Sequence, residues 1–212
     1  MEIKYHGHAC FYIKDKDFVL VTDPYDDSGG LKLPSLKATV VTSGYNDPQH
    51  NNTSAVEGDP KVFNWPGEYE TSSVHFKGVT SFHNSKEDEE QKENTIFTIE
   101  LNGIGLCHLG ALGTKLTPEQ LEDIGDVDIL FIPVGGKGCI DAKKAKEVIE
   151  QIEPRIIIPM AYHVEGSTVG SDPLESFLSE MGAQGVEPVD EFVLRRSELP
   201  DDASKVVVIN PS

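Results

Sequence analysis

Side chains able to bind metals or move protons recur in this 212-residue sequence directly after its apolar runs. The run ending at Thr22 leads to Asp23-Pro24. Residues 38–42 (ATVVT) lead to a polar stretch with Tyr45, Asp47, Gln49 and His50. The run ending at Phe82 leads to His83, Leu106 leads to Cys107-His108, and Met160 leads to Ala161-Tyr162-His163. If each run is a buried strand, these residues sit at strand ends, where layered α/β folds gather their sites. Imidazoles and carboxylates brought together there suit two chemistries. They can hold divalent metals that acidify a bound water. Alternatively, a His beside an Asp can act as a metal-free general acid or base. A serine or cysteine nucleophile is not indicated: Ser43-Gly44 lacks an elbow pattern, and Cys107 would face away from His108 on a strand.

The elements that must position these residues are legible from patterning. Residues 2–5, 9–13 and 18–22 are short, rich in β-branched and aromatic residues, and read as strands. The KDKD segment (14–17) suits a hairpin turn. Asp23-Pro24 ends the third strand, because proline cannot continue a ladder. Residues 38–42 read as a buried strand, Val62-Phe63 begin another that ends at Pro66-Gly67, and residues 74–82 alternate. Residues 94–101 and 104–109 flank Asn102-Gly103, a hairpin signal. The charged run 86–93 (KEDEEQKE) reads as a solvated loop or hairpin tip.

The second half switches to βα alternation. Thr117-Pro118-Glu119-Gln120 combines an N-cap, a first-turn proline and early acids, so a helix starts there. Residues 128–133 form a buried strand. Asp141 caps a helix running to Ile152, with Ala145, Val148, Ile149 and Ile152 at helical spacing. Residues 155–160 form the next strand, 173–181 a short helix and 206–209 a last strand. Neither a repeat nor a linker is visible, so residues 1–212 are expected to form one domain. Antiparallel strands followed by βαβα units predict a layered α/β architecture.

Composition narrows the partners. Eighteen Lys and Arg against 36 Asp and Glu give a formal net charge of −18. That balance argues against binding nucleic acid, which needs cations to displace phosphate counterions, and against an anionic membrane surface. The N-terminus alternates polar and apolar residues with no signal-like run, and no stretch approaches the ~18 apolar residues of a membrane span. Cys10, Cys107 and Cys139 are far apart and form no CxxC pair, so free thiols in a reducing compartment are expected. Cytoplasmic residence follows by elimination.

The motifs GHACF (7–11), VTDPY (21–25), PGEYE (66–70), NTIFTIE (94–100), CHLGALG (107–113), VDILFIPVGG (127–136) and IIIPM (156–160) occur in an order and spacing that resembles the metallo-β-lactamase superfamily. The similarity is greatest to its small branch near the ascorbate-phosphate lactonases and Zn-dependent hydrolase-like proteins. The resemblance runs nearly end to end and implies a four-layer αββα sandwich. It also implies a dinuclear metal centre built on an HxHx[DG]H loop, a further histidine, a bridging aspartate and a final histidine.

Reading the loop without gaps, its four ligand positions fall on Tyr45, Asp47, Gln49 and His50, and only His50 keeps the family residue. The next histidine corresponds to His83. The bridging aspartate falls on Ala111 and the final histidine on Ala161. One metal position thus retains His50 alone, while the other retains Asp47 and His83. His163, two residues beyond Ala161, would point the same way in an extended chain and is an alternative to the lost histidine. The pocket is expected to include His8, Tyr45, Asp47, Gln49, His50, His83, His108 and Tyr162. His8 and His108 read as structural hydrogen-bonding residues, Asp23 as a fastener of loop backbone, and His6 and His75 as surface residues.

Three readings follow. The first is a homologue that has lost the two-metal centre and binds a small-molecule ligand or protein partner. The second is a hydrolase of an ester, lactone or phosphoester using one zinc or similar divalent ion at Asp47, His50 and His83. The third is a metal-free enzyme acting through His and Asp.

Overall fold

The computed structural model describes residues 1–84, 91–201 and 203–212. Most of the 86–93 charged run therefore lies outside the described residues. The strands of the first half are β1 (Glu2–Tyr5), β2 (Phe11–Asp15), β3 (Phe18–Thr22), β4 (Leu36–Lys37), β5 (Val40–Thr42), β6 (Val56–Glu57), β7 (Lys61–Phe63) and β8 (Gly67–Thr71). Then come β9 (Val74–Phe82), β10 (Glu93–Leu101), β11 (Ile104–His108) and helix α1 (Pro118–Ile124). The chain closes with β12 (Ile129–Pro133), α2 (Ala142–Ile152), β13 (Ile156–Met160), α3 (Leu174–Glu180), β14 (Phe192–Val193) and β15 (Lys205–Val206).

Two sheets face each other. The first has the order β14-β1-β2-β3-β5-β7, the second β15-β13-β12-β11-β10-β9-β8, and β4 pairs with β6 alone. Alternation along each strand divides its residues between two clusters. In β3 and β5, Leu20 and Val40 join the large core between the sheets. Val21 and Val41 turn outward to a smaller cluster with Tyr25, Leu36 and Val56. That outer cluster takes Leu36 and Val56 from the β4–β6 pair, with Leu31 and Leu33 packed against it. Helices serve the second sheet: α1 lies on β9, and α2 packs on α3. The core cluster draws on residues from Ile3 to Ile209.

Local chemistry sets the boundaries. Lys16, with φ 53°, forms the two-residue β2–β3 turn, and Asn102-Gly103, with φ 53° and 71°, form the β10–β11 turn, as tight hairpins require. Thr117 and Gln120 make a reciprocal capping box at α1. The Asp141 side chain accepts from the Lys144 N–H at α2, which buries Ala142, Ala145, Val148 and Ile149. β12 and β13 are buried at every position, as parallel strands covered on both faces must be.

Six elements differ from the sequence expectations. Ala9 and Cys10 precede β2 instead of opening it, because the chain turns at Gly7 and His8, both at positive φ. Gly67 starts β8 rather than ending a strand. The last strand covers only Lys205–Val206, with Ile209 in an isolated bridge to Val189. The short pairs β4, β6 and β14 carry too little periodicity to be read from sequence.

Candidate functional site

The loops following β1, β5, β9, β11, β12 and β13 meet at one end of the sandwich and surround a cavity of about 230 Å³. His8, Tyr45, Asp47, Gln49, His50 and His83 all line it, together with Ala111 and Ala161. Six of the eight expected pocket residues are thereby brought together, and the two alanines at the bridging-aspartate and final-histidine positions face the same space.

Close backbone approach makes this convergence possible. A Cβ on Gly44 would lie 2.7 Å from the Thr95 carbonyl, and one on Gly113 only 1.6 Å from the His83 carbonyl. Glycine at these points lets the β5 and β11 loops dock on the second sheet. Asn94 then fastens the β11 loop. Its buried amide donates to Ser81 Oγ (2.7 Å) and the Leu109 carbonyl (3.0 Å), and its oxygen accepts from Ala111 N–H (2.8 Å).

Two imidazoles are oriented from behind. Asp23 is fully buried. One of its oxygens accepts from Gly44 N–H (2.7 Å) and the other from His50 Nδ1 (2.8 Å). Asp23 therefore fastens the backbone of the neighbouring β5 loop, as the sequence reading has it. His83 Nδ1 faces the Ala111 carbonyl at 2.9 Å. Carbonyls and carboxylates only accept, so both histidines carry their proton on Nδ1 and leave Nε2 as a lone pair when neutral. Tyr45 lies against both rings, stacked on His83 at 4.3 Å between centroids and edge-on to His50 at 5.6 Å. Burial, and secondarily the Asp47 charge, raise the Tyr45 hydroxyl above its ordinary value, so it stays a neutral phenol. Burial, and secondarily the field of His50, push His8 down to about 4, and its Nε2 has no hydrogen-bond partner. Asp47 turns one oxygen back to Gln49 N–H (3.0 Å).

Two expected pocket residues lie elsewhere. His108 is fully buried between the sheets and donates from Nε2 to the Ala9 carbonyl (2.9 Å), because its strand side chain alternates into the core. Tyr162 packs beside Tyr5 and lines a different depression with His6 and His163. His163 does not replace Ala161. Ala161 has φ 57°, so the chain turns there and the two side chains diverge. His6 is buried and bonds the Ser212 carbonyl, whereas His75 is exposed. Sequence reasoning missed Lys92 and Lys137, which line the cavity from the charged run and the Gly136–Gly138 turn. Lys137 directly follows the VDILFIPVGG motif, but a lone lysine after a Gly-Gly turn carries no signal of its own. It also underestimated Asn94, whose only signal is a polar residue entering an apolar strand.

Residues 2–161 match the β-lactamase superfamily domain. The chain belongs to this superfamily. A candidate Zn-dependent hydrolase of the metallo-β-lactamase superfamily from Thermotoga maritima superposes with a TM-score of 0.81, at 37% identity, over 98% of this chain and 97% of that one. A UPF0173 protein of Pyrococcus furiosus is 27% identical, over 85% of this chain and 90% of its own length. A UPF0173 metal-dependent hydrolase of Pyrococcus abyssi is 23% identical over 100% and 97%. The superfamily fold accounts for the facing sheets and for a site at the ends of their strands. Among the described residues, no three His, Cys, Asp or Glu side chains gather as a metal-ligand group. No helix among them is long and apolar enough to cross a membrane.

Proposed function

We propose that this β-lactamase-superfamily chain works without the dinuclear metal centre, as a ligand- or partner-binding homologue of the metal-dependent hydrolases. The observation that carries this reading is the wall formed by Ala111 and Ala161 with Tyr45 stacked on His83. Methyl groups stand where a bridging carboxylate and an imidazole would be needed. A neutral phenol stands where another imidazole would be. Zinc sites take about four donors, at least three from protein when catalytic, and the residues here do not fit two such sites. Three free cysteines suit a reducing compartment, as expected for a cytoplasmic protein.

Elemental analysis tests this reading. Protein saturated with zinc, manganese or iron and then desalted should retain well under one equivalent and show no thermal shift on metal addition. A full equivalent that disappears in His50→Ala or His83→Ala would overturn it. The combined substitutions Tyr45→His, Asp47→His, Gln49→Asp, Ala111→Asp and Ala161→His should create tight metal binding.

One observation favours a second reading, a hydrolase with a single metal. His50 and His83 are held at Nδ1 by a carboxylate and a carbonyl, the arrangement that orients metal-binding imidazoles. Asp47 lines the same cavity. Hydrolysis of an ester, lactone or phosphoester that depends on added metal and is lost in His83→Ala would favour it.

A further inference from the structure

We propose that the cavity is a receptor for a small oxyanion, a carboxylate or phosphate head group, held by Lys92 and Lys137 in place of metal ions. The inference rests on the metal-free reading above. Across the chain, acidic residues outnumber basic ones 36 to 18. Among the described residues the cavity wall reverses that ratio, with Lys92 and Lys137 against the carboxylate of Asp47. Asp47 is partly committed to Gln49 N–H. Asp172 lies against Gly136 but does not line the cavity. Among the described residues, neither lysine has a carboxylate at ion-pair distance. His8 adds a buried ring nitrogen without a partner.

Backbone geometry sets Lys137 at this wall. Gly136, Lys137 and Gly138 are all left-handed, with φ 61°, 53° and 105°. A Cβ on Gly138 would lie 2.7 Å from His83 Nε2, so the turn packs directly on that imidazole. An ammonium is a compact point charge, suited to an oxyanion without demanding bidentate geometry. Focusing by the cavity walls strengthens its field there relative to open solvent.

Room also exists for the rest of an organic anion. A groove of about 700 Å³ adjoins the cavity, shares Tyr45, Asp47 and Lys92 with it, and runs past Asn46 and Asn64 to Trp65. Trp65 is 65% exposed, and its carbonyl accepts from the Tyr69 hydroxyl at 2.7 Å. That bond fixes the backbone bearing the indole, which offers a flat face for a ring.

Titration calorimetry at low salt, run both with and without EDTA, tests this, using inorganic phosphate, succinate and phenyl phosphate as probes. One-to-one saturable binding of phosphate or succinate is expected, and the tighter of the two identifies the head group. Lys137→Gln and Lys92→Gln should each weaken it about tenfold, equivalent to ~1.4 kcal/mol. Phenyl phosphate should bind more tightly than phosphate, and Trp65→Ala should remove that gain while leaving phosphate itself unchanged. Absence of saturable binding by every probe, or binding indifferent to both lysine substitutions, overturns the proposal. With metal content at zero, that result leaves the metal-free reading standing. Binding abolished by EDTA sinks both.

Discussion

Asp23 has no exposed surface and sits at φ 39°, a conformation few non-glycine residues adopt. Its carboxylate takes Gly44 N–H and His50 Nδ1 together, so one residue sets both the β5 loop and an imidazole of the site. Asp23→Ala would leave the buried Gly44 N–H and the half-buried His50 Nδ1 unpaired. Charge-assisted bonds of this kind contribute about 1.5–3 kcal/mol each, so the variant should lose roughly 3–5 kcal/mol in urea denaturation. A loss below ~1 kcal/mol would mean that the loop is held by other means. At this scale the sequence was only partly readable. Tyr45, Asp47, Gln49, His50 and His83 were identifiable because each follows an apolar run, and position after a strand predicts the end of the sheet a residue occupies. His108 and Tyr162 follow such runs too, but alternation and a left-handed turn at Ala161 carry their side chains away. That information resides in backbone angles, which residue type encodes weakly outside glycine.

At the scale of elements, the site depends on how closely loops approach, and Gly113 is the sharpest case. A methyl group there would overlap the His83 carbonyl, a backbone atom that cannot rotate away. Gly113→Ala should therefore cost at least ~2 kcal/mol by overpacking and displace His83 from Tyr45. Chemical-shift changes confined to the surface, with an unchanged melting temperature, would contradict this. The long strands, the α1 capping box and the α2 stripe were readable because several signals agree over many residues. The pairs β4–β6 and β1–β14 were not, since two-residue strands owe their existence to neighbours distant in sequence.

For the whole molecule, pH dependence follows from burial. His8 is driven down to about 4, and His6, His83 and His108 are also lowered, in each case chiefly by desolvation. The unfolded chain titrates near 6.5, so between pH 6.5 and 4 it binds more protons than the folded protein. The stability that these histidines contribute is full above about pH 6.5 and falls as pH drops toward 4, with His8 alone contributing up to about 3 kcal/mol. Thermal melts at pH 7 and pH 5 should differ accordingly, and His8→Gln should shrink the difference. An identical pH dependence in the variant would remove His8 from this account. The layered architecture itself was legible, because antiparallel strands followed by βαβ units leave few alternatives. Polar cross-links join the sheets at the cavity, among them Ala161 N–H to the His8 carbonyl, His108 to the Ala9 carbonyl, and Thr95 N–H to the Gly44 carbonyl. These clasps have a kinetic meaning. Where the described residues fasten the mouth in this way, little ordering is left to undergo, so a ligand meets walls already in shape. Its arrival rate should then scale with concentration without reaching a plateau, and selectivity should be expressed in how long each molecule stays.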